Sequence, residues 1–375
     1  MIGILFYGAL GLGLIGLAWL IKGETAEYAG FTRRRALNAA VLLCLFTVMT
    51  GVAALRIDVG NDYGNYVNTF HEIYVGGYVV TEPGFNLAVR LVYLLAGGEN
   101  YLLVFGLFAA ATSFLFLKAM YEQSVDFALS FTLFMLLGLY FRTFNTVRYY
   151  LVLAVSLYSL RYVLRKEYGK YVLLICATAL FHKSVLVVIP LYLIAALPWK
   201  KWQIGLGAVF AASLPLFRDF WTEVALRLYP SYQNTIYLEK DVGLGESLAA
   251  ILRCAAVLAL AAAVWREAVQ KDRANLFYLK LNLLGLAVYL CTSFLPLVTR
   301  IGYYLITPHI LLVPGLLAPL PPGRKRKLAY GAVFLFALAN FAYFLLTASG
   351  EGVRVLPYHT WIFTEREWLN GSYIF

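Results

Sequence analysis

Between residues 56 and 66 the chain carries Arg56, Asp58, Asp62, Tyr63 and Tyr66, a charged and aromatic knot in a sequence that is 62% hydrophobic and only 14% charged. A charge at the centre of a membrane helix costs about 2.5–3.5 kcal/mol on insertion scales, so each one outside the loops calls for a partner, for water or for a function. Glu82, Arg142, Asn145, Arg148, His182, Lys183, Arg300 and Tyr303 stand in comparable settings, at the ends or in the middle of apolar runs. A guanidinium offers a fixed fork of donors that fits phosphate or carboxylate. Several such forks around one pocket would hold a pyrophosphate, each charged hydrogen bond contributing about 1.5–3 kcal/mol. The acids supply the other half: sugar transfer to a hydroxyl needs a base for the acceptor proton and positive charge for the departing phosphate. Asp62, Asp58, Glu82 and His182 are the candidates for that base.

Plainer readings stand beside these. Arg56 next to Asp58 and Asp62 could be an ion pair closing a helix, and His182 alone a packing histidine. Arg90 reads as a residue snorkelling to the membrane interface. Two carboxylates, Asp58 and Asp62, do not make a metal site, and no metal or other cofactor is expected. Tyr63, Tyr66, Tyr78 and the tyrosines of the tail are candidates for stacking on sugars. Cys44, Cys176, Cys254 and Cys291 lie inside apolar runs without paired spacing and read as packing residues.

The elements that must position these residues are membrane helices. With 375 residues and a mean hydropathy of +0.74, the chain has no polar stretch long enough for a soluble domain and is expected to be one integral membrane domain over 1–375. The run 2–21 lacks a basic lead and a cleavage site and reads as a retained span. Further spans are expected at 36–55, 100–118, 127–141, 147–164, 203–218, 247–265, 275–296, 301–320 and 328–347. Segment 84–97 is short, carries Arg90 and is expected at the outer interface; 171–199 is expected as two short arms with His182 near the outer surface. The fold class is therefore all-α, polytopic, with about 11–13 transmembrane helices. The net charge of +11 collects in short loops such as Arg33 to Arg35 and Arg324 to Lys327, as positive-inside topology requires, and not as a nucleic-acid surface would. This orientation leaves loops 56–99 and 218–246 and the tail 348–375 outside, and with them the whole candidate set.

In order along the chain, Arg56, Gly60, Asp62, Tyr63, Tyr66 and Phe70, then Glu82, Pro83, Gly84 and Phe85, then Asn145 and Arg148, then Phe181, His182, Lys183 and Ser184, then Arg300, Gly302, Tyr303 and Tyr304 resemble the EpsG family, a branch of the Wzy-like polymerases of bacterial exopolysaccharide and O-antigen synthesis. The lysine after His182 departs from the family pattern, where small or polar residues follow. The resemblance implies a helical bundle like that of the GT-C glycosyltransferases, with a cavity at the outer leaflet of the bacterial cytoplasmic membrane. It implies joining of polyprenyl-pyrophosphate-linked oligosaccharide repeats without a metal, Asp62 or Asp58 being the essential acid and the arginines meeting the pyrophosphate. Donor and acceptor lipids, the bilayer and a regulator of chain length are the implied partners. The rival readings are an O-antigen ligase-like or polyprenyl-phosphate-sugar transferase, and a flippase for lipid-linked sugars. A flippase would line a path reachable from both sides, whereas these candidates gather at one face.

Overall fold

The computed structural model describes residues 2–22, 33–228, 244–292, 294, 298–350 and 352–363. Tyr229, Tyr232 and Tyr237 of the expected outer loop, and the tail beyond 363, lie outside the described residues. Among those described the chain is helical without strands, and one isolated antiparallel bridge joins Arg56 to Thr360. It divides into two compact units. The first comprises Met1–Tyr158, Leu174–Val185 and Gly323–Phe375; the second comprises Ser159–Leu173 and Leu186–Pro322.

The first unit contains α1 (Ile2–Ala18), α2 (Arg33–Ala54), α3 (Tyr63–Val75), α4 (Pro83–Ala96), α5 (Tyr101–Gln123), α6 (Phe127–Leu136), the single turn α7 (Leu139–Arg142), most of α8 (Val147–Leu164) and half of α9 (Tyr168–Ala179). Local signals set several of these ends. Asn100 and Asp126 accept from the backbone N–H three residues on and start α5 and α6, and Pro83 occupies the first turn of α4. Gly76 and Gly97 close α3 and α4 in the left-handed conformation. The long helices α2 and α5 pack along one another, and α1 lies against both α2 and α6. A buried aromatic core of Tyr63, Tyr66, Phe70, Phe85, Phe105 and Phe108 joins α3 and α4 to α5.

The second unit holds α10 (Val188–Ala196), α11 (Lys201–Leu216), α12 (Arg218–Leu228), α13 (Leu244–Ala263), α14 (Arg273–Cys291), α15 (Val298–Ile306) and α16 (His309–Leu317). Its apolar interior is pinned by a few buried polar side chains. Asn275 donates to the carbonyls of Ala268 and Gly315, and Asn282 joins the Cys254 carbonyl to His309. Such groups satisfy one another because no water is there to do it. The last helix, α17 (Arg324–Thr347), belongs to the first unit and packs on α6.

Among the described residues six helices are long and apolar enough to cross a membrane, counting Arg300–Leu317 as one. Only 17% of the apolar window of α17 and 28% of that of α2 is buried inside the protein, so their greasy faces suit lipid and not water. The chain is a polytopic, all-helical membrane protein. Against the expected 11–13 spans, α11 and α12 would form a seventh if taken as one element bent by 92°, and the other apolar helices, of 10–17 residues, are shorter than the length used for a span. Two expected spans are interrupted: 127–141 breaks at Gly138, and 301–320 breaks at Thr307 and Pro308. The stretch 171–199 forms two short helices, as its length suggests.

Candidate active site

Helices α3 and α4 run parallel. Tyr66 and Phe70 meet Phe85, and further along Tyr74 meets Tyr93, at ring separations of 5.5–6.4 Å. Both N-termini therefore lie at one end of the pair, with Asp62 at the N-cap of α3 and Glu82 at the N-cap of α4. A carboxylate in that position ordinarily caps its own helix. Neither does so here, and both turn to other elements instead. The start of α8 is stitched to the start of α3: Asn145 accepts from the Asp62 N–H at 3.0 Å, Thr146 donates to the Asp62 carboxylate at 3.3 Å, and the Arg148 N–H donates to the Tyr66 hydroxyl at 3.3 Å. Three helix starts thus gather at one place, each carrying the partial positive charge of its N-terminus, while first-turn N–H groups of Gly84, Phe85 and Arg148 already donate to Leu180 and Tyr66.

Glu82 sits at the centre. One oxygen accepts from the Arg148 guanidinium; the other accepts from the Lys183 N–H at 3.1 Å and lies 3.4 Å from Nδ1 of His182. Burial alone would raise the pKa of this carboxyl, but the adjacent His182 imidazole, the charge of Arg148 and the Lys183 N–H outweigh it and lower it to about 2. Arg148 lies over the faces of Phe85 and Tyr66, its guanidinium carbon 4.9 and 6.0 Å from the ring centroids. His182 meets the edge of Tyr149 at 6.0 Å. The backbone brings these parts close at Gly84, whose N–H and that of Phe85 both donate to the Leu180 carbonyl. A Cβ at Gly84 would stand 2.8 Å from the Leu180 Cβ and 2.9 Å from its carbonyl oxygen, so only glycine allows this approach.

The loop that carries Asp58 and Asp62 is bound on its other side by the chain after α17. Ile57, Gly60 and Asn61 donate to the carbonyls of His359, Arg354 and Val353. Arg354 grips Asp58 with both guanidinium nitrogens, at 2.7 and 3.3 Å. Gly60 has φ +101°, and a Cβ there would lie 2.5 Å from the Phe144 carbonyl. Asp58, expected as a candidate base, is thereby the anchor of a clamp on this loop.

The other expected residues have the following surroundings. Arg56, expected to meet the pyrophosphate, is 2% exposed. Its donors go to the carbonyls of Ala53 and Phe144, and it lies against the rings of Phe105 and Phe144. Burial lowers its pKa to about 10, which leaves it charged and facing inward as a tie between helices. Tyr63 is fully buried and stacked on Phe105 at 4.8 Å, and Tyr66 is buried too; their faces belong to the core and not to a sugar. Arg142 ends α7 with its guanidinium over Phe344. The Lys183 side chain is exposed, and its backbone N–H is the part that reaches Glu82. Arg300 and Tyr303 lie on α15 in the second unit. Thr146, Phe85, Leu180 and Arg354 have parts that spacing alone did not suggest. Among the described residues no three His, Cys, Asp or Glu side chains are grouped so as to hold a metal ion.

The first compact unit of this polytopic helical protein thus brings a carboxylate, a histidine and an arginine together at converging helix N-termini. The model of the EpsG family matches residues 39–360, and the chain belongs to that Wzy-like polymerase family, a polysaccharide-polymerase type of membrane protein. No curated protein and no solved structure matches it.

Proposed function

We propose that this protein joins polyprenyl-pyrophosphate-linked oligosaccharide repeats by glycosyl transfer on the outer face of the cytoplasmic membrane, at the cluster around Glu82. The observation that carries the reading is the Glu82 carboxylate held between Arg148, His182 and the Lys183 N–H where three helices begin. An acceptor hydroxyl attacks the anomeric carbon of the donor; the new C–O bond forms as the bond to the pyrophosphate oxygen breaks, and the electron pair leaves with the pyrophosphate. His182 takes the acceptor proton, its ring oriented by Glu82 through Nδ1, in the way a carboxylate orients a catalytic imidazole. Asp62, whose carboxylate accepts from Thr146, is the second candidate acid. Arg148, the Lys183 ammonium and the positive ends of the α3, α4 and α8 dipoles stabilise the departing pyrophosphate. Arg142 is a further candidate for its phosphates. Because protein groups supply this positive charge, the transfer is proposed to need no metal.

The test is polymer formation in cells whose own gene is replaced by variants. His182→Ala and Arg148→Ala are each expected to lower polymer yield about 100-fold or more, the range of a lost general base or charge stabiliser, with the protein still present in the membrane. Wild-type yield and length from Arg148→Ala would remove the pyrophosphate role.

A further inference from the structure

At the far end of the α3–α4 pair from Asp62 and Glu82 lies an open groove of about 500 Å³. Tyr74, half exposed, and Tyr93 form its aromatic wall, their rings meeting edge to face at 5.5 Å. Arg90 and Leu94 of α4 and the glycine caps of both helices complete the lining. Tyr93 is only 3% exposed, and its hydroxyl has no hydrogen-bond partner among the described residues. A buried hydroxyl left in that state costs about 1–3 kcal/mol, which a ligand with its own hydroxyls would relieve.

The electrostatics favour one class of ligand. Two helix C-termini end at the groove, and a C-terminus presents carbonyl oxygens and partial negative charge. Phosphate is repelled there, and among the described lining residues Arg90 is the cation that offsets this. A polyhydroxyl ligand instead gives its protons to carbonyls, stacks a sugar face on tyrosine and accepts from Arg90 and Tyr93. The α4 helix has 14 residues, so the groove lies about 20 Å from Glu82 along it, a distance a few linked sugars can span.

We infer that this groove binds the glycan chain itself, retaining the growing polymer while its end is extended at Glu82. The inference rests on the polymerase reading for the identity of the chain, though not for the binding. Tethering at a second point raises the effective concentration of the chain end at the active site, so the groove would govern chain length and leave the chemistry of a single transfer alone.

The experiment uses the whole protein in nanodiscs and a labelled, lipid-free fragment of several repeats of the exopolysaccharide made by the same cell. Tyr74→Ala and Arg90→Ala are expected to raise the Kd for this fragment about tenfold each, the loss of one well-made contact. Tyr93→Phe, which keeps the ring and the packing, is expected to weaken binding in the same direction. In cells these variants should shift the polymer to shorter chains while the first joining of two repeats proceeds at the wild-type rate. Unchanged affinity and unchanged chain length would overturn the inference. So would a phospholipid that co-purifies with wild type, is lost from Arg90→Ala and leaves glycan affinity unaltered. Glycan binding that depends on Tyr74 in a protein that polymerises nothing would uphold the groove and sink the polymerase reading, so the two fail separately.

Discussion

Glu82 accepts from Arg148 and from the Lys183 N–H and faces His182, so its ionisation keeps all three in place. Its pKa falls from 4.5 to about 2 on folding. A carboxyl depressed in this way stabilises the fold fully above the unfolded pKa, and the contribution fades as pH falls through the folded one. Glu82→Gln should therefore lower the melting temperature in detergent at pH 7, and the gap to wild type should close between about pH 4.5 and pH 2; a gap independent of pH would deny Glu82 this role. Arg56 is expected to act through the fold alone. Arg56→Met removes two hydrogen bonds from a charged donor, each worth about 1.5–3 kcal/mol, and should reduce folded yield and melting temperature, while the protein that does fold still makes polymer. In the sequence Arg56 and Arg148 look alike: both stand at the edge of an apolar run among aromatic and acidic residues. What separates them is whether the guanidinium ends on carbonyls or on a carboxylate, and the deciding partners, Phe144 for Arg56 and Glu82 for Arg148, lie 88 and 66 residues away. The acids and His182 were legible because a charge in so apolar a chain demands a reason. The grip of Arg354 on Asp58 was not, with 296 residues between them.

At the scale of elements, the apolar runs show where most helices lie, since lipid leaves little choice but helix. They do not show that α3 and α4 run parallel. That depends on the residues between Gly76 and Glu82 returning without helix along the pair, and no periodicity marks such a return. The breaks at Gly138 and Pro308 were likewise hidden, because a glycine or proline inside an apolar run is compatible with either a kink or an end. The parallel arrangement is what turns two N-caps into one site, and its closest point is Gly84 against Leu180. Gly84→Ala should push the 180–183 turn outward and carry His182 and the Lys183 N–H away from Glu82. The expected result is a loss of polymer of about 100-fold, comparable to His182→Ala, although alanine introduces no charge and removes no catalytic group. Near-normal polymer from Gly84→Ala would mean that the approach of these two segments is not required.

At the scale of the whole molecule, the candidate acids, His182 and Arg148 fall within the first compact unit, and six helices among the described residues are long and apolar enough to cross the bilayer, where the proposed lipid-linked substrates would travel. Membership of the EpsG family over residues 39–360 points to a polysaccharide as the product; the cluster at Glu82 is the site proposed here for its assembly. The most direct measurement is reconstitution of the purified protein in nanodiscs with a polyprenyl-pyrophosphate-linked oligosaccharide as sole substrate, with and without chelator, the products resolved by size. The account expects a ladder of longer glycans that survives chelator and disappears in Arg148→Ala. Movement of the intact lipid-linked oligosaccharide across liposomes by the wild-type protein, with no ladder from a matched substrate, would contradict it.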